Sequence, residues 1–147
     1  ERAEIAGLLH DCAKCLSNDS KRSLGKKQSI EINLTEAKNP FLLHAKAGAY
    51  LAEHKYGVHD EDILNAVRYN TTGRPGMSML EKIVFIADYI EPGRNHSARL
   101  PELRRLAFQD LDKALVEILK DTLRYLNGTG NEIDPMTQRT YDYYKEA

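Results

Sequence analysis

A chain of 147 residues with 41% hydrophobic and 29% charged side chains is long enough to fold as one domain, 1–147, around its own core. Its formal charge of −1 supplies no general positive field, which argues against a nucleic-acid partner and requires any anionic ligand to be held by local groups. No apolar run approaches the roughly 20 residues of a membrane span and the amino end has no secretory pattern, so the sequence reads as cytoplasmic with no membrane partner.

Apolar spacing (Ala3, Ile5, Ala6, Leu8, Leu9) predicts a helix over residues 2–14. The chain starts inside that pattern, so a preceding segment is expected. The run leads to His10 and Asp11, whose imidazole and carboxylate can both turn toward one cation at a helix end. A histidine followed by an aspartate is a weak signal alone. The second such pair, His59-Asp60, reads as the N-cap of a helix beginning Glu61-Asp62. Lys14 lies three residues after Asp11 and shares its face. Cys12 and Cys15 follow the apolar run instead of opening a helix, and the chain has no other cysteine. Neither a redox dithiol nor a four-thiolate zinc site is expected.

Residues 17–39 are polar and basic with scattered Leu24, Ile30, Ile32 and Leu34, a long connection with room for a short helix. A helix over 41–56 follows, with His44 near its start and Gly57 as its stop. His54 and His96 read as surface residues. The helix opened by Asp60 runs to Tyr69 and stops in Asn70-Thr71-Thr72-Gly73-Arg74-Pro75-Gly76. Such a loop can hold a phosphate through hydroxyls, backbone N–H groups and a guanidinium, although in isolation it is ordinary turn chemistry. Ser78 caps a strongly apolar helix over 79–91. Asp88 falls within that run, where a carboxylate is expected to be paired or to bind metal, and Arg94 lies near the same end. Two more amphipathic helices cover 100–108 and 110–126. Asp134 as N-cap and Pro135 at the first helical position start a final helix. No period-two pattern competes, so the expected fold is all-α.

The strings Gly7-Leu8-Leu9-His10-Asp11-Cys12-Ala13-Lys14, His44-Ala45-Lys46-Ala47-Gly48, Arg68-Tyr69-Asn70-Thr71-Thr72-Gly73-Arg74 and Ala87-Asp88-Tyr89-Ile90-Glu91-Pro92 together resemble the HD-domain phosphohydrolases. More narrowly, they resemble the bacterial YqeK-type symmetrical dinucleoside tetraphosphate hydrolases. The resemblance implies a helical bundle that holds a divalent transition metal, iron or a similar ion, and splits diadenosine tetraphosphate at its middle into two ADP. By position it makes His10, Asp11 and Asp88 metal ligands, and Asp11, His44 and Lys14 catalytic residues. Lys14, His44, Thr72, Gly73, Arg74 and Arg94 would surround the phosphates. Ile133, Asp134, Pro135, Met136, Thr137 and Gln138 would cover the nucleotide. The family adds a histidine ligand from a helix upstream of Glu1 and has histidine where this chain has Asn70. An amide can hydrogen-bond a phosphate but cannot serve as a proton donor near neutral pH. The partner is then a nucleotide, a dinucleoside polyphosphate with an ADP- or GDP-like product. Alternative readings are an HD-type nucleotidase or cyclic-nucleotide phosphodiesterase, and a nucleotide-binding module with little catalysis. An apolar face left on the carboxyl-terminal helices could form a homodimer.

Overall fold

The computed structural model describes all residues, 1–147, and contains helices without strands. In chain order these are α1 (Arg2–Leu9), α2 (Asn18–Lys27), α3 (Leu34–Lys38), a 3₁₀ turn (Pro40–Leu43) that feeds α4 (His44–His54), α5 (Glu61–Arg68), α6 (Met79–Ile90), α7 (Leu100–Gln109), α8 (Leu111–Thr129) and α9 (Pro135–Tyr144). None is long and apolar enough to cross a membrane.

Helix α6 is the axis of the bundle, because its sequence is apolar on two faces. Phe85 and Ile86 enter a core completed by Leu103, Leu115, Ile118 and Leu119 from α7 and α8. Leu80 and Val84 face the other way and close a smaller core with Ala6 of α1 and Ile63 and Ala66 of α5. Burying a leucine or isoleucine side chain contributes about 1.5–3 kcal/mol, so these two clusters fix α6 from both sides. The polar ends are fixed by caps. Asp60 accepts hydrogen bonds from the Asp62 and Ile63 amides, and Ser78 and Glu81 form a reciprocal capping box at the start of α6. Asp110 caps α8, Gly130 ends it with φ 71°, and Asp134 with Pro135 opens α9 as expected.

Three expectations are corrected. The first helix ends at Leu9, and residues 10–16 continue as tight turns in which the amides of Cys12, Lys14 and Leu16 each reach back three residues. Gly48 of α4 packs against Cys12 Sγ and the His10 carbonyl, so the chain turns there over another helix instead of continuing straight. The 17–39 connection holds two helices, because Ser17 caps α2 and Asn33 forms a second capping box with Glu36. Finally, α8 extends three residues past Leu126 to Thr129.

Candidate active site

The end of α1, the start of α4, the end of α5 and the last turn of α6 meet at one place, and each delivers a polar side chain there. His10 Nδ1 lies 2.5 Å from the Gly7 carbonyl, which turns Nε2 toward two carboxylates. Nε2 stands 3.2 Å from Asp88 Oδ1 and 3.4 Å from Asp11 Oδ2. His44 is held in the same way. Its Nδ1 is 2.9 Å from the Phe41 carbonyl, and its Nε2 is 3.9 Å from Asp11 Oδ1 and 3.3 Å from Thr71 Oγ1. Pinning one ring nitrogen on a backbone carbonyl is how proteins orient an imidazole whose other nitrogen is to bind something.

Cations close the cluster. Arg94 Nη2 donates to Asp88 Oδ1 at 2.9 Å, and Lys14 Nζ to Asp11 Oδ2 at 3.1 Å. The hydrogen bond with Asp88 raises the His10 pKa against the opposing effect of burial. Burial would push the Asp88 carboxyl upward, but the hydrogen bond from His10 and the Arg94 charge outweigh it and hold it below the usual carboxylate value. His44 moves the opposite way to His10. Burial lowers its pKa, Lys14 and Lys21 add to that effect, and Asp11 works against it. Proton NMR titration of chelator-treated protein is therefore expected to show His10 retaining its proton to a higher pH than free histidine and His44 losing its proton at a lower one. Stabilisation from the His10–Asp88 contact is complete below the ordinary histidine pKa and fades as pH rises through the raised value. Coincident titration of both rings near the free-histidine value would refute this electrostatic account.

The donor set suits a divalent transition metal. With ligand bonds of about 2.1 Å, neighbouring donors stand about 3.0–3.4 Å apart, the range spanned by the 3.2 and 3.4 Å separations around His10 Nε2. The set is not closed around a common point as it stands, and no group of three or more His, Cys, Asp and Glu side chains is arranged to hold an ion. The two carboxylate oxygens nearest His10 are the same two that carry Arg94 and Lys14. Both cations are partly exposed, at 36% and 60%, and can swing outward.

Burial differs from the expectation for α6. The carboxylate deepest in that helix is Glu81, whose side chain is fully buried, while Asp88 is 26% exposed at the rim of the cluster. Glu81 also takes Arg74, through Nε at 2.9 Å and Nη2 at 2.7 Å, and the guanidinium lies 4.9 Å from the Tyr69 ring centre. The structure thus ties Arg74 into the loop's own support. Gly73 has φ 65°, and a Cβ there would meet Thr140 Cγ2 at 2.8 Å, so glycine lets the loop rest on α9. Thr72 donates to the Gly73 carbonyl at 2.8 Å.

Beside His44 and Thr71 lies a cavity of about 50 Å³ lined by Asn33, Lys46, Tyr69, Thr72, Asp134 and Met136, among others. Asp134 Oδ1 accepts from Asn33 Nδ2 at 3.2 Å and from the Met136 amide at 2.9 Å, joining the start of α9 to the start of α3. The space admits water but not a nucleobase. Of residues 133–138, Asp134 and Met136 line it. Thr137 is buried in the protein and Gln138 is bonded to Asp142 of its own helix, while Pro135 is exposed and Ile133 half-buried.

Sequence reasoning did not single out Thr71 or assign Asn70 its role. Asn70 Nδ2 donates to the carbonyls of His10 at 3.2 Å and Val67 at 2.6 Å, and its Oδ1 accepts from Thr71 Oγ1 at 3.1 Å. The amide sutures the end of α5 to the backbone of His10. The signal was available in principle, since a threonine beside a buried Asn at a helix end commonly makes such local bonds.

A helical bundle with histidine and aspartate side by side at a helix end, completed by an aspartate from a later helix, is the pattern of the HD domain. The sequence profile of that family matches residues 1–93, and this chain belongs to it. Among its relatives, the symmetrical bis(5'-nucleosyl)-tetraphosphatase of Bacillus subtilis is 41% identical over 97% of this chain and 76% of its own length. The protein of that name from Halalkalibacterium halodurans is 39% identical, over 97% and 75% respectively. A solved structure of an HD superfamily hydrolase from Clostridium acetobutylicum, described as involved in NAD metabolism, superposes with a TM-score of 0.94 at 41% identity, covering 99% of this chain and 76% of that one.

Proposed function

We propose that this chain is a metal-dependent phosphohydrolase that adds water across the central anhydride of a dinucleoside tetraphosphate, of which diadenosine tetraphosphate is the type, and releases two ADP. The observation that carries this reading is the convergence of His10, Asp11, His44 and Asp88 within a chain 41% identical to a symmetrical tetraphosphatase. His10, Asp11 and Asp88 would hold a divalent transition metal, and imidazole with carboxylate suits iron, manganese, cobalt or zinc. Iron is our proposed occupant, which elemental analysis of the purified protein tests. Such an ion polarises a phosphoryl oxygen and makes bound water more acidic.

The chain's own residues account for the rest. The substrate is polyanionic and its charge shifts to the central bridging oxygen as the P–O bond breaks, so positioned donors and cations are the main catalytic resource. Lys14 and Arg94, released from Asp11 and Asp88, can turn to phosphate oxygens. His44, with its pKa lowered by burial, is neutral near pH 7 and can exchange a hydrogen bond through Nε2. Thr72 edges the same opening, the Gly73 amide is committed to the Tyr69 carbonyl at 2.9 Å, and Arg74 contributes by holding that loop in place. The 133–138 segment covers the nucleotide side, and the small cavity there must widen by movement between α3 and the start of α9 to admit a base.

The test is product analysis after incubation with diadenosine tetraphosphate and each candidate metal. ADP as sole product, dependent on metal, is expected. ATP with AMP would mean asymmetric cleavage, and phosphate released from mononucleotides instead would mean a nucleotidase; either result overturns the proposal.

A further inference from the structure

Arg104 of α7 makes three hydrogen bonds, and all of them go to backbone carbonyls. Its Nε donates to Ile90 at 2.8 Å, and its Nη2 donates to Glu91 and to Arg94, each at 2.9 Å. Arg99, just before the same helix, takes the carboxylates of Glu117 and Asp121 instead. The three acceptors of Arg104 lie at the end of α6 and just beyond it. α6 has no basic residue in its last turn, and the last carbonyls of a helix lack partners within it and form its negative end. Arg104 brings both donors and charge to them from a neighbouring helix. Its own position is firm, because Leu103 beside it is fully buried in the core shared with Phe85 and Ile86 of α6.

Capping α6 requires only the first two bonds. The third reaches past the helix to the carbonyl of Arg94, whose amide closes a turn on the Glu91 carbonyl at 3.0 Å. One guanidinium therefore holds both ends of the Glu91–Arg94 turn. A planar fork of five N–H donors suits that task, and the point charge of a lysine does not. The turn delivers Arg94, whose Nη2 stands 2.9 Å from Asp88 Oδ1. Arg94 sits on a segment, residues 91–99, that has no helix of its own to fix it. A shift of that backbone would carry a long, partly exposed side chain away from Asp88, and the bonds from Arg104 oppose such a shift.

We propose that Arg104 is a positioning residue that acts through Arg94, fixing the Glu91–Arg94 turn so that the Arg94 guanidinium stands where a substrate phosphate meets the His10, Asp11 and Asp88 cluster. The proposal rests on the polyphosphate reading above, with Arg94 as a phosphate contact. It extends the site to α7, which touches none of the proposed ligands.

The experiment is a double-mutant cycle on ADP binding, measured by calorimetry in manganese-containing buffer for the full chain, R94M, R104K, R104M and the two doubles, with cleavage of diadenosine tetraphosphate assayed in parallel. R104K keeps charge and stem but cannot bridge the three carbonyls. R94M, R104K and R104M are each expected to weaken ADP binding about tenfold, the loss of one charge-assisted contact. The doubles are expected to bind no more weakly than R94M, because an effect that runs through Arg94 disappears with it. Manganese content is expected to stay at the wild-type level. If R104M does not fold, R104K alone completes the cycle. Wild-type affinity in R104K overturns the proposal, since charge without the fork would then suffice. Equal weakening by R104K with and without Arg94, or loss of manganese, marks a cap that acts on α6 and Asp88 and also overturns it. Wild-type affinity in R94M removes Arg94 from the phosphates and this proposal with it, and leaves the hydrolase reading to the cleavage assay. A wild-type chain that binds ADP but leaves the tetraphosphate intact sinks the hydrolase reading, while the cycle still decides the role of Arg104. Absence of ADP binding in wild type overturns both.

Discussion

Asp88→Ala is expected to lower turnover of diadenosine tetraphosphate at least about a thousandfold, the scale of losing a group that organises transition-state charge, and to strip the divalent metal while the protein stays folded. Asp88 Oδ1 is the atom on which His10 and Arg94 both converge, at 3.2 and 2.9 Å. Removing it takes away a proposed ligand and the group that raises the His10 pKa. The fold should tolerate the loss. Asp88 is 26% exposed, and its two partners are 20% and 36% exposed, so water can replace the lost contacts at a cost of about 1 kcal/mol. Asp88→Asn separates the two jobs of this carboxylate. The amide oxygen can still accept from Arg94 but is a poor ligand, so the variant should melt like wild type and remain inactive. Elemental analysis, melting temperature and product formation on the same samples check the argument. Retention of both metal and turnover in Asp88→Ala would place the metal elsewhere.

Legibility of this fold followed the origin of each element's stability. Helix α6 and the opening of α9 could be read directly, because apolar spacing and cap residues point to the same boundaries there. Helices α2 and α3 could not be read from hydrophobic period, because the residues they bury are Lys21, Gly25, Thr35 and Glu36. Their caps did carry the information. Ser17 is a residue type that caps helices, accepting from the Ser20 amide, and Asn33 stands three residues before Glu36, the pairing of a capping box. In the site, His10, Asp11, His44 and Asp88 were visible as residue types within recognisable strings, and the structure brings them together. The roles of Asn70 and Thr71 were not, because they depend on which backbone carbonyl the end of α5 meets. Arg74 shows the opposite limit. An arginine in a Thr-Thr-Gly loop has the chemistry to bind phosphate, but the acid that engages it lies seven residues further on and announces itself only by its burial.

That acid gives the largest stability effect expected in the molecule. Glu81→Ala is expected to destabilise the fold by about 3 kcal/mol and lower the melting temperature by about 10 °C. Glu81 is fully buried and satisfies two groups at once, accepting from the Ser78 amide at 2.7 Å and from Arg74 at 2.7–2.9 Å. Its removal opens the cap of α6 and leaves a guanidinium without its counter-charge against Tyr69. The estimate sits at the lower end for a broken buried pair because Arg74 is 33% exposed and can partly rehydrate. Consequences should extend to the site, since the loop that Arg74 supports carries Thr71, 3.3 Å from His44 Nε2; a raised KM is expected where the variant stays folded. A double-mutant cycle over Arg74→Ala and Glu81→Ala, followed by chemical denaturation, tests whether the two act as one unit. Coupling of about 2 kcal/mol is expected for a pair this enclosed. Additive losses would mean that Arg74 does not depend on Glu81 and is available for phosphate after all. A large coupling, together with an Arg74→Lys variant whose KM rises only as far as its stability falls, would mean that the arginine holds the loop and leaves phosphate contact to other cations.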